Sequence, residues 1–243
     1  MSGPRGARPG VHVTAQDIYE ESENAQAAIG EKLRLGDRVF RYTKNGAVAL
    51  APGKMTQHSA PEATHNNESV AADVAVNAKV ITVTLGGTLA TVNQYAGGYI
   101  HINNDAGEGV TYRIKSNPSA GSTAALTLNL YDSVEKQITT AAEATLTIAK
   151  YNKVVVAING GLTAGIAGVP LFDVTIDYYC WLQTKGPCAV LTQGSVIIGQ
   201  KVTLGGTADG ACGPLGDDVG VNWGQVLSVN ASTDYSLIDL AID

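Results

Sequence analysis

Charged side chains are scarce in this chain of 243 residues. Asp, Glu, Lys and Arg make up 16% of the sequence, whereas about 25% is usual for soluble domains. The 22 acidic residues outnumber the 16 basic ones, which gives a formal net charge of −6. A negative chain has no electrostatic attraction for phosphate backbones, so we expect no nucleic-acid partner. Thr, Ser, Asn and Gly fill the polar positions instead, a composition typical of strand surfaces that other protein covers.

Long apolar runs are also missing. The opening stretch MSGPRGARPG has no apolar core of the kind found in secretory signal peptides. No apolar segment approaches the roughly 18 residues that a membrane-spanning helix needs. We therefore expect a soluble protein that is made in the cytoplasm and has no membrane partner.

Cysteine is rare, and no pattern of reactive residues is evident. The three cysteines are Cys180, Cys188 and Cys212, and their spacing includes no CxxC or Cys/His pair of the kind that binds zinc. A hairpin centred on Gly186 would place Cys180 opposite Thr192, too far from Cys188 for a disulfide. The nucleophile, phosphate-binding, zinc-protease and dinucleotide motifs are missing as well. We expect three buried free thiols, no metal, no cofactor and no catalytic residues.

Two acidic turns are candidates for a cation site or a catalytic pair. The first, residues 103–109, contains Asp105 and Glu108 among Asn and Gly residues. We interpret it as a hairpin turn whose residues accept positive φ, in preference to a cation site. The second is Asp217–Asp218, which follows Gly and Pro residues and is more typical of a solvated loop than of a catalytic pair.

The richest apolar stretch lies in residues 169–204. Residues 172–184 are predicted to form a strand with large side chains on both faces, and Tyr179 and Trp181 lie opposite the main apolar parity. Such a strand is covered on both sides, by its own core and by a second layer or subunit. Gly186, between Lys and Pro, predicts a hairpin turn that ends this strand and sends the chain back.

The remaining patterns predict an all-β protein. Five short alternating segments within residues 70–149, separated by Gly, Asn, Pro and Ser, predict a small β-sandwich or barrel. This region lies between residues 35–57 and the central stretch 169–204, which match without a gap at an offset of 141 residues, so we interpret it as an insertion into a duplicated module. The expected parts are an extended or partly helical arm over 1–34, a β-barrel or β-sandwich body over 35–60 plus 151–243, and an inserted β domain over 70–150.

The chain closes on a predicted hairpin. Its two strands, residues 220–229 and 235–242, are joined by the turn sequence NASTD. Leu237, Asp239 and Ala241 alternate with the other side chains of the second strand. A final strand ties the C-terminal residues into the sheet.

The N-terminal residues carry two competing patterns. Residues 1–10 are rich in Gly, Pro and Arg and predict a flexible tail. Residues 14–33 predict a helix, because they have a thin apolar stripe at helical spacing and Thr14 and Asp17 have the spacing of a capping box. The same residues could instead form an arm that orders against a partner. We expect residues 1–30 to be dispensable for the fold.

Several phrases of the sequence resemble head decoration (cement) proteins of tailed phages. They are IYEES near Ile18, LRLGDRVFRY, YAGGYIHINNDAGEGVTYRIKS, the stretch from GVP to YYCWLQTKGPCAVL, and GQVLSV with YSLIDLAI. The resemblance spans most of the chain, and no phrase in it is a catalytic signature. It implies a β-rich structural protein on the capsid exterior of an icosahedral virion, present in the host cytoplasm during assembly, that clamps neighbouring capsid subunits.

The same resemblance implies the partners. They are the major capsid protein and further copies of the chain itself, as a homotrimer or a dimer. We expect the contact residues in the arm and on the doubly covered strand. These candidates are Arg5, Arg8, Ile18, Tyr19, Ile29, Leu33, Tyr179 and Trp181.

Three other functions stay open. A trimeric fibre or receptor-binding adhesin would also be all-β, but elongated and located at the tail. The major capsid protein itself would have a mixed α/β fold with a long spine helix, for which the sequence has no counterpart. A glycan hydrolase would need a carboxylate pair in a cleft, and Asp217–Asp218 is the one candidate pair in the sequence.

Overall fold

Strands account for nearly all regular structure in the protein. The computed structural model describes residues 16–159, 161–215 and 221–243. Within these residues the helical content is one 3-10 turn, Ala63–His65, so the predicted all-β fold class is confirmed. The strands of the described chain are β1 Lys32–Leu35, β2 Arg38–Lys44, β3 Thr56–Gln57, β4 Glu68–Ser69, β5 Val80–Thr84, β6 Tyr99–Ile102, β7 Thr111–Ser116, β8 Ala125–Leu130, β9 Glu143–Thr147, β10 Val155–Val156, β11 Ile166–Pro170, β12 Tyr179–Leu191, β13 Lys201–Leu204, β14 Cys212–Pro214, β15 Gly224–Ser228 and β16 Tyr235–Ala241.

The chain divides into two compact units. Unit 1 takes in the residues up to Ser59 together with Tyr151–Asp243, and unit 2 is Ala60–Lys150. Unit 2 is therefore inserted in sequence between the two parts of unit 1. Within the described residues, no helix is long and apolar enough to cross a membrane.

Strand β12 is the centre of unit 1. Among the described residues, ten strands form one sheet in the order β10-β3-β11-β12-β16-β15-β13-β14, with β2 also paired to β12 and β1 paired to β2. The first half of β12 pairs with β2 and β11, and the second half, from Lys185 to Leu191, pairs with β16. All of these pairings are antiparallel.

The predicted hairpin at Gly186 is wrong, because β12 runs through this position as one strand of 13 residues. Gly186 has φ +85° and lies two residues after a bulge at Thr184, where the register against β2 shifts between Gln183 and Lys185. The Gln183 side chain donates to the carbonyls of Lys185, Gly186 and Pro187 at 3.0–3.1 Å. A buried side chain of the same strand thus satisfies the carbonyls at the bulge, and the chain continues in the same direction.

The start of β12 also differs from the prediction. Residues 172–178, expected to begin the strand, form bends and turns, and Asp177 adopts φ 63° just before β12 begins at Tyr179. The two stretches proposed to be duplicates also differ in their order of strands and turns. Lys44 ends β2, whereas Lys185, its counterpart in the sequence alignment, lies in the middle of β12.

The prediction that the central strand is covered on both faces is confirmed. On one face, Cys180 and Leu182 belong to an apolar cluster with Leu50 and Val174. The opposite face is covered by a second cluster, whose members are Ile18, Leu33, Phe40, Tyr42 and Trp181. The second layer therefore comes from the chain's own residues before β3, and no subunit is needed to provide it.

The helix predicted over residues 14–33 is wrong for residues 16–31, which form bends, turns and an isolated bridge before β1 begins. Apart from two turn bonds, from the Glu20 N–H to the Asp17 carbonyl and from the Glu31 N–H to the Ala28 carbonyl, their described backbone–backbone bonds run to neighbouring strands. Ser22 and Tyr179 exchange two N–H···O bonds of 3.0 and 2.8 Å, and the Gly30 N–H donates to the Tyr42 carbonyl at 2.8 Å. Tertiary pairing thus overrides a weak helical periodicity. The predicted tail over residues 1–10 and Thr14 of the capping box lie outside the described residues.

Unit 2, which is described throughout, is a small curled sheet. Its strand order is β4-β9-β6-β7-β8-β5, and β5 to β9 are the five strands predicted for residues 70–149. Val70 forms a bridge to Val83, and the Ala71 N–H donates to the Thr82 carbonyl at 2.8 Å. These contacts bring the two ends of the sheet together, so that unit 2 is a nearly closed barrel around its own apolar core.

Candidate interaction surface

One face of the sheet in unit 1 is open and largely apolar. Along β16, Ser236, Ile238 and Leu240 are buried in the core, and the alternate residues are exposed. The same alternation holds for the second half of β12 and for most of β15. We call the exposed and half-buried set the outer face; its members are Lys185, Pro187, Ala189, Gln225, Leu227, Ser228, Tyr235, Leu237, Asp239 and Ala241.

Strand register places these side chains next to one another. Ala189 of β12 lies opposite Leu237 of β16, and Pro187 lies opposite Asp239. On the other edge of β16, Asp239 lies opposite Gln225 of β15. Side chains directly opposite each other on one face of a sheet are about 5 Å apart, so the outer face is continuous across three strands.

A depression adjoins the outer face beside β12. It has a volume of about 320 Å³ and is lined by Pro52, Gly53, Pro170, Leu171, Ala189 and Tyr235. Backbone bonds fix its walls: the Gly53 N–H donates to the Pro170 carbonyl at 2.9 Å, and the Leu191 N–H donates to the Gly53 carbonyl at 2.8 Å. Gly53 has φ +69°, and a Cβ there would lie 2.5 Å from the Tyr235 ring. Only glycine lets the turn approach the tyrosine this closely.

A second apolar feature lies beside β15. Residues 194–200 form a turn in which Ile197 is 65% exposed and Ile198 is 68% exposed. Val196 of the same turn is buried in the core. The Gly199 N–H donates to the Val226 carbonyl and the Val226 N–H to the Gln200 carbonyl, both at 2.9 Å, so the turn is held against β15. We call it the isoleucine turn.

The structure places the contact residues suggested by the sequence in very different environments. Ile18, Leu33 and Trp181 are buried in the chain's own core, so they cannot contact another subunit while this fold is intact. Tyr19 is 58% exposed. Ile29 and Tyr179 are half-buried. Arg5 and Arg8 lie outside the described residues.

Sequence reasoning missed the outer face because both faces of β16 carry apolar side chains. Leu237 and Tyr235 alternate with Ile238 and Leu240 along the strand, and a period of two does not say which set is buried. The one available signal was that Asp239 and Gln225 are polar, which indicates that the residues on their side of each strand are the exposed ones. The exposure of Ile197 and Ile198 in the isoleucine turn had no sequence signal, because an apolar run such as residues 196–198 is also typical of a buried strand.

The reactive side chains of the described residues are either buried or separate. All three cysteines are free, as predicted, and burial raises the pKa of each thiol to about 12. The reason given for this was wrong, since Cys180 and Cys188 lie eight positions apart on one strand, roughly 25 Å at the rise of a β-strand. The described residues contain no group of three or more His, Cys, Asp or Glu side chains placed to hold a metal ion.

The structure tests the prediction for one of the two acidic turns. Residues 103–109 connect β6 to β7 as a turn, with positive φ at Asp105, Gly107 and Gly109. The Asp105 carboxylate accepts from the Ala106 N–H at 2.6 Å. The hairpin interpretation is therefore confirmed for this turn. Asp217–Asp218 lies outside the described residues.

A buried polar group lies in the core of unit 2. The His65 ring is fully buried, with Nε2 3.0 Å from the Thr88 carbonyl and Nδ1 bonded to the Tyr95 hydroxyl. Because a carbonyl can only accept, Nε2 carries a proton, and in the neutral ring Nδ1 accepts from the tyrosine. Burial raises the pKa of Tyr95. This arrangement satisfies every ring nitrogen, and its role is to hold the barrel together.

Comparison with known proteins returned no family model, no curated protein and no solved structure that matches the chain. The surfaces of unit 1 are therefore the basis for assigning a function. They consist of an open apolar sheet face, a rigid depression at one margin and a rigid apolar turn at the other. Such surfaces are suited to binding another protein.

Proposed function

We propose that the chain is a structural protein of a virion that binds the exterior of an assembled icosahedral capsid and stabilises it by bridging neighbouring capsid subunits. Its partners are the major capsid protein and further copies of itself, as a homotrimer. The proposal is supported by the resemblance of the sequence phrases to phage head decoration proteins. The observation that carries it is the outer face, where Leu227, Tyr235 and Leu237 lie exposed on the paired strands β15 and β16.

The outer face is suited to a contact that is driven by the burial of apolar surface. Its strands already pair with one another, so covering the face leaves no ladder hydrogen bond unmade. A standard contact between proteins buries about 800 Å² on each side. Most of the outer face is apolar. Burying it against a partner would therefore make the binding free energy more favourable, in proportion to the apolar area removed from water.

The polar members of the outer face restrict which partner fits. Lys185, Gln225 and Asp239 would lose water when the face is covered, and each then needs a hydrogen-bonding or charged partner. A matching surface presents an acidic group to Lys185 and a basic group to Asp239. This requirement gives the contact a fixed orientation, which a purely apolar face would lack.

Many weak contacts of this kind stabilise a shell. A chain that holds two capsid subunits at once gains from the high effective concentration of the second site. Repeated over the capsid, the contact opposes the outward pressure of packaged DNA and requires no chemical step. Binding is expected on expanded heads and not on procapsids, because only the expanded lattice spaces the subunits correctly.

The test uses heads that lack the protein. Full-length chain, the variant Leu227→Asp/Leu237→Asp and the control Val92→Asp are added back, and occupancy and the temperature of DNA release are measured. Val92 is a matched control because it is 66% exposed and lies in unit 2. We expect the wild type and the control to bind and to raise the release temperature, and the double variant to bind at least tenfold more weakly.

Three results would contradict the proposal. Binding of the wild type to neither expanded heads nor procapsids would exclude a capsid role. Binding to host cells in place of heads would favour the fibre or receptor-binding adhesin. Full binding by the double variant, with an unchanged melting temperature, would show that the outer face is not the contact.

A further inference from the structure

Two exposed tyrosines and an arginine form a row across the outer surface of unit 2. Tyr99 of β6 lies directly opposite Arg113 of β7, and on its other side it lies opposite Thr147 of β9. Tyr131 follows the end of β8, and its N–H donates to the Arg113 carbonyl at 3.0 Å. The two tyrosines and the arginine point away from the core, because the alternate residues of their strands are the buried ones. We call Thr147, Tyr99, Arg113 and Tyr131 the tyrosine row.

The two tyrosine rings leave much of their surface in water. Tyr99 is 45% exposed and Tyr131 is 50% exposed. They are separated by two strand spacings, roughly 10 Å. A tyrosine side chain has few rotatable bonds, so it loses little conformational entropy when a ligand stacks on it. The rings therefore give two flat contact points on a hydrogen-bonded sheet.

The arginine between the rings has no protein partner for its charge. The Arg113 guanidinium lies over the Tyr131 ring, with 5.1 Å between its central carbon and the ring centroid. Among the described residues, no ion pair or hydrogen bond involves this guanidinium. Lys115, two positions further along the same face of β7, is exposed and forms no ion pair with the described residues either. An arginine in this state presents a fork of N–H donors to a carboxylate.

The chemistry of the row selects the class of ligand. A sugar ring has a face of C–H bonds, which packs on the negative face of an aromatic ring. Its hydroxyls need hydrogen-bonding partners, which the tyrosine hydroxyls and Thr147 supply. A carboxylate on the sugar would pair with Arg113 in a bidentate geometry. The row carries positive charge in a chain whose net charge is −6, so it is complementary to an acidic ligand where the chain as a whole is not.

Two other classes of ligand fit the row less well. Single-stranded nucleic acid also stacks on aromatic rings, but it carries a phosphate on every nucleotide and is bound by a longer basic groove. The row and Lys115 offer two cations, within a negative chain. An apolar protein surface would bury the Arg113 guanidinium without a partner, at a cost in binding free energy.

We propose that the tyrosine row is a binding site for an acidic saccharide, with Tyr99 and Tyr131 stacked on sugar rings and Arg113 paired with a sugar carboxylate. The row belongs to unit 2 and shares no residue with the outer face, which belongs to unit 1. Saccharide binding therefore stands or falls independently of capsid binding. A single row offers a small contact, so we expect weak binding by one chain; copies repeated on a particle would bind an extended polysaccharide much more tightly.

The test measures binding of the full chain to soluble probes by isothermal titration calorimetry. Alginate and polysialic acid oligosaccharides carry carboxylates, a dextran oligosaccharide is neutral, and oligothymidylate is a single-stranded nucleic acid. We expect the wild type to bind at least one of the two acidic saccharides. Dextran and oligothymidylate should bind at least tenfold more weakly, because the first lacks a carboxylate and the second needs more cations than the row has.

Substitutions in the row separate stacking from charge. Tyr99→Ala/Tyr131→Ala removes both rings and should weaken binding at least tenfold, whereas Tyr99→Phe/Tyr131→Phe keeps the rings and should retain most of it. Arg113→Gln should weaken binding of the acidic saccharide at least tenfold, and Arg113→Lys, which keeps the charge without the fork, should lie between. The controls are Tyr19→Ala, at an exposed tyrosine of unit 1, and Lys136→Gln, at an exposed lysine of unit 2. Both should bind as the wild type does, and all variants should keep their melting temperature.

Several results would overturn the proposal. They are a wild type that binds neither acidic saccharide, equal or tighter binding of dextran or oligothymidylate, and a stable Tyr99→Ala/Tyr131→Ala variant that binds as the wild type does. An equal loss in the two controls would also overturn it. Leu227→Asp/Leu237→Asp should bind the saccharide normally, and Tyr99→Ala/Tyr131→Ala should bind heads normally. Failure of saccharide binding is thus distinguishable from failure of the capsid role.

Discussion

Replacing Trp181 with alanine tests how unit 1 covers its central strand. The indole has no exposed surface and packs edge-on against the Tyr42 ring at 4.9 Å. Its Nε1 donates to the Gln16 carbonyl at 3.2 Å, which ties the N-terminal segment to β12. Removing it creates a cavity between the strand and the segment that covers it, and leaves a buried carbonyl without its donor.

The expected loss is large. Trp→Ala substitutions in packed cores cost about 3–5 kcal/mol of unfolding free energy. The lost hydrogen bond of a buried group contributes part of this, about 1 kcal/mol. The free energy is measured by urea unfolding followed by circular dichroism. Tyr19→Ala is the control: that side chain is 58% exposed, and its replacement should cost less than about 0.5 kcal/mol.

Truncation gives an independent measure of the same cover. The expectation that residues 1–30 are dispensable for the fold is wrong for residues 16–30, because Gln16 and Ile18 pack on Trp181. Deleting residues 1–30 should cost at least about 2 kcal/mol, from the burial of Ile18 alone. Deleting residues 1–15 leaves this packing in place and should cost much less.

The reasoning would be refuted by a small effect. A loss below about 1 kcal/mol for Trp181→Ala would mean that the indole is not sealed by the N-terminal segment. Equal stability of the two truncated chains would lead to the same conclusion. A large loss for the longer deletion alone would instead show that the segment matters through contacts other than the indole.

Three further changes test other parts of the fold. The Asp243 carboxylate accepts two bonds from Arg41, at 2.7 and 2.8 Å, and these lower the pKa of the carboxyl. Its stabilisation is therefore present above the ordinary pKa near 4 and is lost as the pH falls through the lower folded-state value. Asp243→Asn should cost about 1 kcal/mol in melts at pH 7 and nothing in strong acid; an equal loss at both would contradict the ion pair. Tyr95→Phe leaves Nδ1 of His65 without a donor and should cost about 1–3 kcal/mol, seen as faster hydrogen exchange in unit 2; unchanged exchange would contradict it. Gly186→Ala must place a Cβ at φ +85° and should cost about 1–3 kcal/mol in the same urea assay; a neutral result would exclude strain at the bulge.

Local sequence patterns identified the strands of unit 2 because buried and exposed residues alternate along each predicted strand and turn residues separate the strands. In β7, exposed and buried residues alternate along TYRIKS, and the flanking Gly, Asn and Pro residues end the strand on either side. One face of each strand meets the core and the other meets water. Periodicity and turn residues then point to the same structure, which is why all five predicted strands are present.

The strand through Gly186 could not be predicted in the same way. A glycine with positive φ occurs in hairpin turns and in β-bulges, so the Lys-Gly-Pro sequence is compatible with both. One distant and one local feature decide between them. The partner β16 lies about fifty positions further along the chain, and the Gln183 amide reaches forward to the carbonyls at the bulge. The pairing with β16 is not visible in the residues around Gly186, and the sequence alone does not say where the Gln183 side chain points.

Three of the predicted contact residues, Ile18, Leu33 and Trp181, are internal for a related reason. A strand with large side chains on both faces needs two covers, and the sequence does not say whether the second comes from the same chain or from a partner. Here residues 16–35 provide it, so the indole that looked like a contact with another subunit is internal. The outer face of β12, β15 and β16 is not covered by that segment and stays exposed. The chain thus covers the first half of β12 with its own N-terminal residues and leaves side chains of the second half exposed on the outer face.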